Sequence, residues 1–143
     1  GRITYDHMVA FWPTSFAAEN FPVVAERMNN MPKIVFSRTM KAASWKNTAV
    51  VGGDIVDAVG KLKEEQGPDM AILGSGSIVS QLTSAGLIDE YQIVIAPIVL
   101  GKGRTMFEGI TSPRRMRLTQ TRAFENGKVV LYYEPITVAE LMN

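Results

Sequence analysis

The chain has 143 residues, 46% of them hydrophobic and 20% charged, with a formal net charge of +1. That is enough apolar material for one domain with a real core, and the near-neutral balance gives no reason to expect nucleic acid or an anionic membrane surface as a partner. Cysteine is absent, which excludes disulfides, thiol catalysis and Cys-based metal sites, and the lone histidine, His7, cannot build a His-cluster zinc site.

Taken in chain order, residues 4–12 read as a short helix stopped by Pro13, and residues 20–30 as a second, with Val24, Met28 and Met31 on one side and Pro32 ending it. Lys33–Phe36 and Thr48–Val51 are compact apolar strands, and Gly52-Gly53 turns the chain. Asp54 is then a plausible N-cap for a helix over 55–65, where Ile55, Val59 and Leu62 recur at the helical period and Asp57 and Lys61 face solvent. Met70–Leu73 reads as a short, wholly apolar strand. After Gly74-Ser75-Gly76-Ser77, the spacing of Ile78, Leu82 and Ala85 predicts another helix, closed by Gly86.

Tyr91–Ala96 is apolar on both faces, as in an inner strand of a covered sheet, with Val99-Leu100 continuing it past Pro97. Residues 115–123 and 128–134 are two strands joined around Asn126-Gly127, a strong hairpin signal, with Met116, Leu118, Val129 and Leu131 facing inward. The tail Ile136–Asn143 is expected to add a helical turn. No run approaches the ~20 apolar residues that span a bilayer. The whole predicts an α/β domain over 1–143, with a mostly parallel mixed sheet, helices on both faces and a C-terminal antiparallel hairpin.

Sheets of that kind bind ligands beyond the carboxyl ends of their strands. Two stretches fall there. Gly74-Ser75-Gly76-Ser77 joins a strand to a helix whose free N–H groups and positive dipole end suit a phosphate. It is neither the Rossmann fingerprint, whose third glycine would fall on Val79, nor a P-loop. Ser37-Arg38-Thr39 sets a guanidinium between two hydroxyls, a combination suited to a phosphate monoester. In a dinucleotide site this would be the 2′-phosphate that separates NADPH from NADH. A third candidate is Gly1-Arg2-Ile3-Thr4 at the start of the first helix. Gly101-Lys102-Gly103-Arg104 could be another phosphate loop, although a flexible connection is the commoner meaning of such a stretch. Asp89-Glu90 precedes a strand, away from the binding edge, and reads as a polar cap; His7 reads as a packed or surface histidine. No Ser–His–Asp arrangement and no metal-ligand set is visible, so catalytic residues are not assigned. The signals all concern holding phosphates, which suits a hydride-transfer enzyme whose cofactor brings the reactive group.

In order, these motifs resemble the dihydrofolate reductase-like superfamily. Gly1-Arg2-Ile3-Thr4-Tyr5 resembles its Gly-Arg-x-Thr-aromatic motif, Val35-Phe36-Ser37-Arg38-Thr39 its 2′-phosphate strand and loop, and Leu73–Ser77 its Gly-rich pyrophosphate loop. Gly86–Tyr91 and Ala96–Gly103 with Phe107 look like the riboflavin-biosynthesis reductases, the RibD C-terminal-domain-like proteins. The resemblance implies NADPH held by Gly1, Arg2, Thr4, Ser37, Arg38, Thr39, Gly74, Ser75, Gly76 and Ser77. It implies hydride transfer to a pterin-like or ribosylaminopyrimidine-like small molecule, a homodimer and a cytoplasmic enzyme. The alternative is a relative that binds cofactor without turnover. The family also carries, ahead of its Gly-Arg motif, a first strand, a Ser-x-Asp-Gly-like stretch and an active-site loop, so the chain is expected to be incomplete at its amino end.

Overall fold

A computed structural model describes residues 1–137 and 140. Three helices come first: α1 (Arg2–Phe11), α2 (Ser15–Asn20) and α3 (Pro22–Asn30). The expected helices over 4–12 and 20–30 are therefore present with shifted ends. The sequence reading missed α2, whose signal is local: Thr14 caps it by accepting a hydrogen bond from the Ala17 N–H. On α3 the buried residue is Ala25, while Val24 and Met31 are exposed. Lys33 closes α3 by donating from Nζ to the carbonyls of Met28, Asn29 and Met31.

β1 (Lys33–Phe36) and β2 (Thr48–Val51) occupy the predicted residues and pair in parallel, with Val35 opposite Val50. Period-two alternation makes β1 a divider. Val35 joins a buried cluster with Tyr5 of α1 and Trp45. Its neighbour Phe36 packs against the other cluster, Ile55 and Val59 of α4 (Ile55–Glu64) with Ile78 and Leu82 of α5 (Gly76–Ser84). Asp54 caps α4 as expected, its carboxylate accepting from the N–H groups of Val56 and Asp57. Gly86, at φ +70°, follows α5 in the left-handed conformation that a glycine adopts cheaply.

The rest of the sheet departs from expectation. Met70–Leu73 forms no strand, and Met70, Ile72 and Leu73 are all exposed. β3 (Tyr91–Ile95), β4 (Met116–Ala123) and β5 (Val129–Pro135) make a separate antiparallel sheet in the order β3-β5-β4. Among the described residues only β1 and β2 are parallel, so "mostly parallel" is corrected to a mixed α/β fold with one parallel pair and one antiparallel sheet. β3 is an edge strand rather than an inner one, with Val94 60% and Ile95 52% exposed. Val99 and Leu100 do not prolong it; Val99 is 97% exposed.

The reason is shared by all three corrections. A short apolar run becomes a strand only when a neighbour pairs with at least one of its backbone edges, and an inner strand only when both are paired; none of the described residues pairs with 70–73 or with the outer edge of β3. The hairpin is as predicted, with Gly127 at φ +80°, although Leu118 faces out rather than in. In the tail, Thr137 and Glu140 form a reciprocal capping pair: the Thr137 N–H donates to Oε2 of Glu140, and the Glu140 N–H approaches Thr137 Oγ1. The expected helical turn otherwise lies outside the described residues.

Candidate functional site

The predicted anchors come from three separate parts of the chain, and folding brings them together. Two of these parts open helices, α1 and α5. Unlike α2 and α4, neither has a side chain capping its first turn; Gly1 stands at the N-cap of α1 and Ser75 at that of α5. The first N–H groups of a helix have no acceptor within it, and they carry the positive end of its dipole. These two helix ends are adjacent: a Cβ placed on Gly1 would stand 2.8 Å from Ser75 Oγ. A larger residue at position 1 would have to displace that hydroxyl.

The Gly-rich turn is shaped to expose its backbone. Gly74 has φ +71° and Ser75 φ +61°, successive left-handed residues immediately before the helix. Glycine reaches that region without cost, whereas Ser75 holds it against a steric penalty of about 1–2 kcal/mol. Strain of this kind points to a constrained turn rather than a relaxed connection. Gly76 opens α5 and Ser77 is exposed on its first turn.

The third anchor meets α1. Arg2 donates from one guanidinium nitrogen to Thr39 Oγ1 at 3.4 Å and has Asp6 beside it, Nε to Oδ2 at 3.5 Å. Ser37 begins the loop after β1, its N–H donating to the Val51 carbonyl. Its hydroxyl accepts from the N–H groups of Thr39 and Met40, so Ser37 builds the turn and is already engaged. Arg38 is exposed and has no carboxylate partner among the described residues. Thr4 lies half-buried in the first turn of α1. The result is a cradle with two uncapped helix ends, an arginine tied to the β1 loop and a second arginine free at its rim.

Sequence reasoning did not find the backing of this cradle. The segment Thr105–Glu108 lies along α5: a Cβ on Gly76 would touch the carbonyls of Met106 and Thr105, at 3.5 and 3.7 Å. The buried Ser80 hydroxyl stands 2.8 Å from the Glu108 carbonyl. A contact across 28 residues leaves no trace in local spacing.

Other expected features stand apart. His7 is exposed on α1. Asp89 is ion-paired with Lys63, and Glu90 accepts from Gln92, consistent with a polar cap. Tyr5 is the most engaged polar group away from the cradle. Burial would push its phenol up, but the Ser44 hydroxyl and the N–H groups of Trp45 and Ser44, at 3.0 and 2.9 Å, carry it below its ordinary value. Two shallow concavities also lie elsewhere, one beside Trp45 and Asn29 and one beside Arg117 and Glu140. No His, Cys, Asp and Glu cluster that could hold a metal occurs among the described residues, and none of their helices is long and apolar enough to cross a membrane.

The model of the RibD C-terminal domain family matches residues 1–130, and the chain belongs to that family. Two proteins of Bacillus subtilis (strain 168), the uncharacterised YyaP and YwjB, are similar over nearly the whole chain. YyaP is 28% identical over 134 residues, 93% of this chain and 70% of its own length. YwjB is 26% identical over 133 residues, with the same coverage of 93% and 70%. Among solved structures, a candidate riboflavin biosynthesis protein from Shewanella sp. PV-4 superposes with a TM-score of 0.69 at 22% identity, over 96% of this chain and 72% of that one. A pyrimidine reductase-like protein from Corynebacterium diphtheriae gives a TM-score of 0.55 at 20% identity, over 74% and 50%. At these identities the structural likeness speaks for the fold.

Proposed function

We propose that this chain is the cofactor-binding body of an NADPH-dependent reductase acting on a pterin-like or ribosylaminopyrimidine-like small molecule. The observation that carries the reading is the convergence just described: Gly1-Arg2, Ser37-Arg38-Thr39 and Gly74–Ser77, distant in sequence, share one cradle. Family membership agrees with it, as does the likeness to a pyrimidine reductase-like protein of Corynebacterium diphtheriae.

The residues fit the phosphates of a dinucleotide. The uncapped first turn of α5, reached through Gly74 and Ser75, offers N–H donors to a pyrophosphate. Arg38, exposed beside Arg2 and Thr39, offers a charge-assisted pair to a 2′-phosphate. When bound, the nicotinamide supplies a hydride; the chain's share is to hold and orient it. In this reading the enzyme is cytoplasmic and homodimeric.

The test is a fluorescence titration with NADPH and with NADH, using Trp12 and Trp45, followed by an assay of NADPH oxidation with a pterin and with a ribosylaminopyrimidine. NADPH preference lost in Arg38→Ala, with turnover of either substrate, is the expected result. Absence of binding to either cofactor sinks the reading. Binding without turnover of any such substrate favours a cofactor-binding relative that does no chemistry.

A further inference from the structure

The stretch Gly101–Gly109 runs past the cradle without joining a helix or strand. Its end glycines both have positive φ, +73° and +84°. Its second half is fastened in three ways. Ser80 meets the Glu108 carbonyl at 2.8 Å, and Phe107 packs edge-on against Tyr91 with ring centroids 5.9 Å apart. The Thr105 and Met106 carbonyls lie in contact range of Gly76, the first residue of α5.

The first half carries Lys102 and Arg104. Both are exposed, and neither has a carboxylate partner among the described residues. Arg104 directly precedes Thr105, so its Cα is ~3.8 Å from that of a residue already touching the cradle. A flexible connection would leave the position of these charges undetermined. Here Thr105–Glu108 is fastened against α5, so Arg104, bonded to Thr105, begins beside the uncapped end of that helix, with Lys102 two residues further along the chain.

We propose that Lys102 and Arg104 are a further anion-binding element of this site, contributing charge to the pyrophosphate of a bound dinucleotide. Ser80 acts as a positioning residue, holding the stretch in place from α5. The inference rests on the reading of the cradle as a dinucleotide site.

The experiment compares wild type with Lys102→Ala/Arg104→Ala and with the longer, uncharged Lys102→Gln/Arg104→Gln, each checked for fold by circular dichroism. Each is titrated with NADPH and with adenosine 2′-monophosphate, which keeps the 2′-phosphate and carries no part of the pyrophosphate, at low and high salt. The expected result is a loss of about tenfold in NADPH affinity in both double variants, with the monophosphate unaffected. The gap should narrow with salt, because the screening length falls from ~10 Å at 0.1 M to ~3 Å at 1 M. NADPH binding by wild type with no loss in either variant overturns this element alone. An equal loss for both ligands also overturns it, since the charge would then act without regard to the pyrophosphate. Failure of wild type to bind NADPH overturns the dinucleotide reading and this element with it.

Discussion

At the scale of single residues, the cradle and the core ask different things of their polar groups. Arg38 is exposed and has no carboxylate partner among the described residues, so its removal should cost the fold little. Arg38→Ala should leave thermal stability unchanged while lowering NADPH affinity about tenfold or more, a charge-assisted hydrogen bond being worth ~1.5–3 kcal/mol; NADH affinity should barely move. Tyr5 is the opposite case. Its hydroxyl accepts from two backbone N–H groups, of Ser44 and Trp45, in a buried setting. Tyr5→Phe keeps the ring and strands both donors, so urea unfolding should show a loss of about 1–3 kcal/mol.

Glu140 gives a pH dependence. The Thr137 N–H and the Arg117 guanidinium hold its carboxyl down at about 2, below the ordinary 4.5. A carboxyl depressed in the folded state contributes above its unfolded value, and the contribution fades as acid protonates it. The Thr137–Glu140 and Arg117–Glu140 contacts should therefore persist at neutral pH and be lost between about pH 4.5 and 2. The Thr137 amide resonance should shift over that window, and Glu140→Gln should abolish the shift.

At the scale of elements, α4 and α5 form the firmest part of the molecule. Leu82 is 2% exposed and sits between them with Ile55, Val59 and Ile78. Leu82→Ala should destabilise by about 2–5 kcal/mol in chemical denaturation, the range for a buried leucine that leaves a cavity. Asp54→Ala should cost about 1 kcal/mol through the lost cap. These elements were also the most legible in the sequence, because their signals are local. Asp54 and the spacing of Ile55 and Val59 announce α4 without reference to anything distant. The same holds for the hairpin at Asn126-Gly127. Residues 70–73 were misread because composition cannot say whether a neighbour exists; an apolar run signals burial, and pairing is a property of the rest of the sheet. For the cradle, Gly74–Ser77 and Ser37–Thr39 were legible as separate motifs through their glycines, hydroxyls and arginine. Their meeting, and the backing by Thr105 and Met106, arise from tertiary packing alone.

At the scale of the whole molecule, charge is unevenly distributed. Between Gly101 and Lys128 stand seven basic residues and two acidic ones, while the rest of the chain is acidic on balance. A net charge of +1 therefore conceals a positive segment that includes the stretch beside the cradle. Fields of this kind raise the association rate of anionic ligands and fade with ionic strength. The two sheets also differ in what supports them. Both buried clusters are built around β1, α1, α4 and α5, whereas the three-stranded sheet contributes Tyr91 as its buried hydrophobic residue. Tyr91 is tied back through its hydroxyl to Thr83 at 2.8 Å and through its ring to Phe107.

That slender attachment bears on how the protein opens. Cooperative units within a fold come apart in order of their buried contacts. The antiparallel sheet can therefore open as a unit of its own, tied to the helical half by Tyr91 and by the Arg114 guanidinium on the Ser84 carbonyl, while the helical half stays closed. In native-state hydrogen exchange, the amides of β4 and β5 should lose protection together and well before those of α5. Tyr91→Phe, which cuts the tie to Thr83, should widen that interval. A ligand on the cradle would then slow exchange in the helical half while leaving the hairpin nearly as labile as before, making the two halves of one small chain report separately on occupancy.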